Sequence, residues 1–204
     1  MKLFFALLPF FFLTKASLAA EKLKVVTLAP HLTEIVYALN KEDLLVGNTA
    51  ACDYPEAAKK VPKVGDYISP SLELILQSKA NLVFATEGNS RETLEKIKRL
   101  GKKVIEVDPK TAEDLPKSIE QVAKELGAEP EGKKLSQKIS ASLKNLTSHK
   151  RPPSKALIAL QFAPVYSVNE KTWVGDIFRI AGFKNIAEGT KIKYPVLSAE
   201  HIFR

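Results

Sequence analysis

The residues able to carry chemistry in this chain are few and scattered. Its three histidines, His31, His149 and His201, are far apart and share no metal-ligand spacing. The single cysteine, Cys52, excludes an internal disulfide and a CxxC metal or redox site. The motifs G-x-S-x-G, G-x-x-x-x-G-K-[ST], G-x-G-x-x-G and H-E-x-x-H are also absent from the sequence. These observations favour a binding protein over an enzyme.

Aromatic and small polar residues follow the strand-like runs of the sequence. Apolar, β-branched runs at 24–28, 81–85 and 104–107 each precede a loop and an amphipathic helix, which is typical of a parallel α/β sheet. Ligands of such sheets lie beyond the carboxyl ends of the strands. One ring alone is better explained by packing between lobes, but the shared loop location favours a cleft. We therefore predict these ligand-binding residues: Pro30, His31, Tyr67, Thr86, Glu87, Phe162, Tyr166 and Tyr194.

A polar stretch at 130–148 divides the chain. Its large apolar residues recur at spacings of four, four and three, which predicts a surface helix with one narrow apolar stripe: Leu135, Ile139, Leu143 and Leu146. Strand and helix patterns lie on both sides, so we interpret the chain as lobe, helix, lobe. A surface helix within one domain explains the same stripe equally well. The predicted boundaries are 20–128 for the first lobe, 129–150 for the helix and 151–204 for a partial second lobe.

Several residues predict where helices begin and end. Ser71 is a candidate N-cap, and Asn89 with Glu92 has the spacing of a capping box. Gly182 follows a helical pattern that starts at Trp173 and predicts its end. The second half offers only about two strand-like runs, at 156–160 and 162–166, whereas a sheet usually has ~4–6 strands. We expect two Rossmann-like, three-layer α/β lobes joined by one long rigid helix, with the second lobe incomplete.

Residues 1–19 are predicted to be a secretory signal peptide. Lys2 precedes the apolar run 3–13, and the small-x-small sequence at 17–19 marks a cleavage site after Ala19. The apolar run is much shorter than the ~20 residues that span a bilayer, which argues against an uncleaved anchor. We therefore expect an exported, soluble protein.

The formal net charge is +8, with 31 basic and 23 acidic side chains. The basic residues are spread over helical patterns, as at 96–103, without interleaved aromatic residues. Solvated helix faces explain them better than nucleic-acid binding. We expect no nucleic-acid partner, although a mild preference for anionic ligands remains open.

Four groups of segments occur in an order that resembles a known family. They are the sequence TLAPHLTEI at 27–35, the residues at 53–55, 64–65 and 71–73, the strand at 81–83, and the motifs at 173–176, 181–183 and 185–186. Each is weak alone, but their order is specific. Over essentially all of its mature length the chain resembles the ABC-transporter substrate-binding proteins for vitamin B12, haem and iron siderophores. The family pattern continues for roughly another quarter beyond Arg204.

The resemblance implies a periplasmic monomer that closes slightly on a small ligand and delivers it to a permease and ATPase complex. In the vitamin B12 member, two glutamates, one in each lobe, dock onto the permease. The matching positions here are Glu73 and Glu200. A carboxylate in a first helical turn also stabilises the helix by ~0.3–1 kcal/mol, which is an alternative reason for both.

The resemblance also ranks the ligands. Tyr67 and Tyr194 fall where two tryptophans line the cleft of the corrinoid binder, whereas Ala51 and Thr86 replace two other rings of that pattern. We therefore expect cobalamin or another corrinoid first, and haem or a ferric siderophore next. The metal would arrive within the ligand, so we expect no cofactor and no metal bound by the protein itself. His31 is interpreted as a polar wall residue, with contact to the ligand metal as the alternative.

Two hypotheses from other classes remain. A metal-chelate enzyme on a similar fold would use His31 and Glu87, which have no obvious third partner in the sequence. A secreted adhesion or scaffold module would bind no small ligand.

Overall fold

The computed structural model describes residues 22–148 and 154–203. The predicted signal peptide lies outside the described residues. Within them, no helix has the length and apolar character needed to cross a membrane.

Strands and helices alternate through the first half of the described chain. In chain order they are β1 (Val25–Thr27), α1 (Pro30–Ala38), β2 (Leu45–Asn48), α2 (Leu72–Gln77), β3 (Leu82–Ala85), α3 (Arg91–Arg99), β4 (Lys103–Glu106) and α4 (Leu115–Glu125). The four strands are parallel and lie in the order β2-β1-β3-β4. The predicted parallel α/β sheet is confirmed.

Helices cover both faces of this sheet. Val25 and Leu82 point to the face that packs against α1 and α4, and their neighbours Val26 and Val83 point to the face that packs against α3. This happens because successive side chains of a strand point to opposite faces. Near-continuous apolar runs are therefore needed in β1 and β3, as expected for a sheet buried on both sides.

The long helix predicted at 130–148 is present as α5 (Glu129–Ser148). It packs against α4, where Gly132 permits close approach: a β-carbon there would lie 2.2 Å from that of Ala123. Leu135 and Ile139 pack against the core, whereas Leu146 is 40% exposed. The helix is thus partly solvent-exposed along its length, as its narrow stripe predicts. The domain boundaries drawn around it stay a prediction.

The second half forms two small sheets. A parallel pair joins β5 (Ser154–Ala156) to β8 (Phe183–Asn185), and an antiparallel sheet has the order β6-β7-β9 (Ala159–Phe162, Val165–Ser167 and Val196–Leu197). The helices are α6 (Trp173–Ile180), closed by Gly182 as predicted, and α7 (Ala199–Ile202).

This arrangement differs from the single strand expected at 156–160. The run at 156–160 is divided between β5 and β6, which belong to different sheets. Strands β8 and β9 have three and two residues, too few for an alternating pattern of about 4–8 residues to reveal them.

A buried carboxylate connects the two halves. Asp176 on α6 accepts a hydrogen bond of 2.9 Å from the backbone N–H of Ala112, in the short 3₁₀ turn before α4. The same carboxylate pairs with Arg179, and its side chain is only 8% exposed. Because a buried, ionised acceptor binds its donor strongly, this contact fixes α6 against the start of α4.

Candidate ligand-binding site

The carboxyl ends of three parallel strands bring polar residues to one edge of the first sheet. His31, Thr86 and Asp108 follow β1, β3 and β4 respectively. The Thr86 hydroxyl donates a 2.8 Å hydrogen bond to the Asp108 carboxylate. The sequence placed Asp108 at a strand end but gave no reason to rank it with the ligand-binding residues. The structure adds it to the candidate site.

Lys110 lies between two carboxylates at this edge and contacts both Glu87 and Asp108. Burial opposes ionisation of Asp108, but hydrogen bonds from Lys110 and Thr86 outweigh that effect and hold its pKa below the ordinary value. Hydrogen bonds to Asp108 and Glu87 raise the pKa of Lys110. Sequence reasoning missed this lysine because many others look the same in the sequence.

Asn89 fixes the loops of the site from inside. It is 3% exposed, its side-chain oxygen accepts from the N–H of Thr86 at 2.8 Å, and its amide nitrogen donates to the carbonyls of Leu28 (3.0 Å) and Tyr67 (2.5 Å). The capping box predicted at Asn89 is wrong. Ser90 is the N-cap of α3, since its hydroxyl accepts from the N–H of Thr93 at 3.3 Å.

The ring of Tyr67 packs against the backbone at Gly88. A β-carbon at Gly88 would lie 2.1 Å from the Tyr67 hydroxyl oxygen, so only glycine fits without displacing the ring. Burial, followed by the negative charge of Asp108, raises the pKa of Tyr67, and Tyr194 and Glu87 add to the shift. These groups therefore lie within electrostatic range of the phenol. Tyr67 and Tyr194 come from different halves of the chain and lie within electrostatic range of each other.

His31 is mostly buried beside this group. Burial lowers its pKa, and a hydrogen bond to the Val107 backbone and the charge of Asp108 only partly offset that effect. Its Nε2 atom is buried without a hydrogen-bond partner. Pro30 precedes it as the first residue of α1, where a missing N–H costs nothing. In the parts of the chain that the structure describes, no three His, Cys, Asp or Glu side chains are grouped to hold a metal.

Phe162 and Tyr166 lie on the antiparallel sheet of the second half. Phe162 is 81% exposed at the end of β6, and Tyr166 on β7 pairs with Val196 of β9. The described interactions do not connect either ring with Tyr67. Their assignment to the ligand site stays a prediction.

Glu73 and Glu200 occupy equivalent places in two short helices. Each is the second residue of its helix, α2 or α7, and each helix begins after a serine whose hydroxyl caps it. Both glutamates are exposed, and the Glu73 carboxylate accepts a 3.1 Å hydrogen bond from Gln77. These equivalent positions agree with stabilisation of each helix start by a carboxylate. They are also compatible with docking of the two glutamates onto a permease.

The carboxyl ends of the strands of a parallel α/β sheet are where such proteins usually bind ligands, and Tyr67 lies at this edge within electrostatic range of Tyr194 from the second half. Residues 25–204 match the family described as "Periplasmic binding protein", and the chain belongs to this family.

Named relatives and solved structures indicate which members of this family the chain resembles. The chain is 32% identical over 187 residues to the vitamin B12-binding protein of Vibrio vulnificus (strain YJ016), which covers 90% of this chain and 68% of the relative. It is 32% identical over 200 residues to the vitamin B12-binding protein of Vibrio parahaemolyticus, covering 96% of this chain and 72% of that one.

Among solved structures, the periplasmic vitamin B12-binding protein BtuF of Vibrio cholerae superposes with a TM-score of 0.80 at 27% identity, covering 88% of this chain and 71% of that one. The periplasmic haem-binding protein RhuT from Roseiflexus sp. RS-1 has a TM-score of 0.78 at 25% identity, with coverages of 88% and 72%. The relatives named here are all binding proteins.

Proposed function

We propose that the protein is the soluble, periplasmic substrate-binding component of an ABC importer, which captures cobalamin or another corrinoid between its halves and delivers it to the permease. The protein does no catalysis, reaches the periplasm after cleavage of a signal peptide, and works as a monomer with a permease and ATPase complex. The two relatives at 32% identity, both vitamin B12-binding proteins, support this proposal.

One observation supports a large planar macrocycle as the class of ligand. Tyr67 lies at the carboxyl ends of the parallel strands, and Tyr194 of the opposite half is near enough for its charge to act on the Tyr67 phenol. Tyrosine rings offer flat, largely apolar surfaces on which a large planar macrocycle can pack. We propose that these tyrosines form the apolar contacts, with Pro30, His31, Thr86 and Glu87 along the first wall and Phe162 and Tyr166 along the second.

Calorimetric titration with cyanocobalamin, haemin and a ferric siderophore tests the proposal. Emission of Trp173, the only tryptophan and 49% exposed, gives a second signal. We expect the corrinoid to bind most tightly, and replacement of both Tyr67 and Tyr194 by alanine to weaken it by at least about tenfold, the equivalent of ~1.4 kcal/mol. Failure of the unaltered protein to bind any of the three ligands would refute the proposal.

Haem is the second candidate, and the similarity to the haem-binding protein RhuT favours it. Tighter binding of haemin than of cyanocobalamin in the same titration would establish this alternative. A shift of the haem absorption bands that disappears in His31→Ala would show that His31 contacts the iron.

We also propose that Glu73 and Glu200 dock onto the permease. Transport by the importer reconstituted in vesicles should fall strongly in the double variant Glu73→Arg, Glu200→Arg, while corrinoid binding stays unchanged. Glu129→Arg serves as the control, because Glu129 starts α5 just after the end of α4, where Glu125 pairs with Lys103 at the amino end of β4. Equal transport by the double variant and the control would exclude docking through these residues.

A further inference from the structure

Two carboxylates and one ammonium form the polar part of the first cleft wall. Glu87 and Asp108 follow β3 and β4, and Lys110 contacts both; we name these three residues the Glu87–Lys110–Asp108 group. One ammonium cannot neutralise two carboxylates, so the group carries a formal charge of −1. The wall is therefore acidic in a chain whose formal net charge is +8.

This group lies where a ligand would rest. The Thr86 hydroxyl binds Asp108 at 2.8 Å, and Gly88, the residue after Glu87, is the one against which the Tyr67 ring packs. The charges of Asp108 and Glu87 both act on the Tyr67 phenol. A molecule stacked on Tyr67 therefore has its edge beside these three side chains.

The group discriminates between two kinds of ligand edge. A carboxamide is neutral, donates N–H to a carboxylate and accepts from an ammonium, so it can bind Glu87 or Asp108 and Lys110 at once. A carboxylate on the ligand can accept from Lys110 only, and it meets an unneutralised negative charge nearby. The rim of a corrinoid carries carboxamides, whereas haem carries two carboxylates.

We propose that the Glu87–Lys110–Asp108 group is a specificity determinant that accepts the carboxamide side chains of a macrocycle and rejects carboxylates in the same place. This inference rests on the proposed corrinoid-binding function. The three side chains are 61%, 57% and 31% exposed, in the order of the name, so their ion pairs contribute little to stability.

Two corrinoids that differ in charge test the inference. Dicyanocobinamide carries carboxamides, and cobyrinic acid carries carboxylates at the corresponding places. We expect the protein to prefer the first by more than about tenfold, the effect of roughly one charge pair near a protein surface. The double variant Glu87→Gln, Asp108→Asn should reduce this ratio about tenfold by tightening cobyrinic acid binding, and Lys110→Gln should increase it.

Two further variants sharpen the experiment. Glu87→Gln alone leaves the bond between Thr86 and Asp108 intact, so it should give part of the effect even if the double variant folds poorly. The double variant Glu129→Gln, Glu131→Gln makes the same change in net charge on exposed residues at the start of α5. That helix follows α4, which returns from the cleft edge of the sheet, so the control should leave the ratio unchanged.

The outcomes separate the two proposals. If the unaltered protein binds neither corrinoid, the proposed function fails. If it binds dicyanocobinamide but the ratio stays the same in Glu87→Gln and in the double variant, the specificity role is overturned while the function stands. An equal change of the ratio in the control at 129 and 131 also overturns it, because the effect would then come from net charge alone.

Discussion

Replacement of Asn89 by alanine should destabilise the protein more than replacement of the adjacent helix cap. The side chain satisfies three buried backbone groups: the N–H of Thr86 and the carbonyls of Leu28 and Tyr67. Leaving a buried polar group without a partner costs ~1–3 kcal/mol. Three such groups together would lower the free energy of unfolding by at least about 3 kcal/mol. Because water can enter and satisfy some of them, we expect a loss of about 3–5 kcal/mol, near the lower end of the possible range.

Urea unfolding followed by circular dichroism measures this loss, and Ser90→Ala provides the comparison. Loss of the Ser90 cap should cost ~1 kcal/mol. A loss of about 1 kcal/mol for Asn89→Ala with no effect of Ser90→Ala would refute our reasoning, because it is the result expected if Asn89 were the cap. The slope of the unfolding free energy against urea should be the same in both variants if the unfolded states are alike.

Three other substitutions test particular contacts. Gly88→Ala should displace the Tyr67 ring and weaken corrinoid binding by about tenfold or more in calorimetry, since the added methyl occupies the place of the hydroxyl; unchanged affinity would show that the ring does not contact ligand. Asp176→Ala should accelerate hydrogen exchange at the Ala112 amide, which loses its acceptor; unchanged exchange would mean that another group protects it. Because burial lowers the pKa of His31 below 6.5, the unfolded chain binds a proton first as the pH falls, so stability should decrease from about pH 6.5 down to the lowered pKa. His31→Asn should flatten this decrease in urea unfolding, and an equally steep decrease would assign it to other groups.

The position of the candidate site in the sheet was predictable because the sheet itself follows from hydrophobic patterns. The runs at 24–28 and 81–85 identified two neighbouring parallel strands, and ligands of such sheets lie beyond their carboxyl ends. His31 and Thr86 follow directly from that rule. The pattern is reliable because each strand must bury both faces, which leaves few alternative assignments.

The partners of these residues were not predictable, because they depend on how loops turn after the strands end. The spacing of Asn89 and Glu92 fits a capping box, yet the loop turns one residue further and leaves the cap to Ser90. Lys110 is indistinguishable in the sequence from lysines on helix surfaces until Glu87 and Asp108 are seen beside it. Strands as short as β9 escape prediction for a similar reason, since contacts distant in sequence define them.

In each half, a buried asparagine side chain fixes the loop that carries one tyrosine of the proposed cleft. Asn89 donates to the carbonyl of Tyr67, and Asn169, which is fully buried, donates to the carbonyls of Thr190 and Ile192, just before Tyr194. An asparagine side chain can replace the missing backbone partners of a loop, because it offers two donors and an acceptor. Loops fixed in this way keep their rings in place before ligand arrives, so less ordering is lost on binding. We therefore expect these two loops to keep their backbone conformation when a ligand binds.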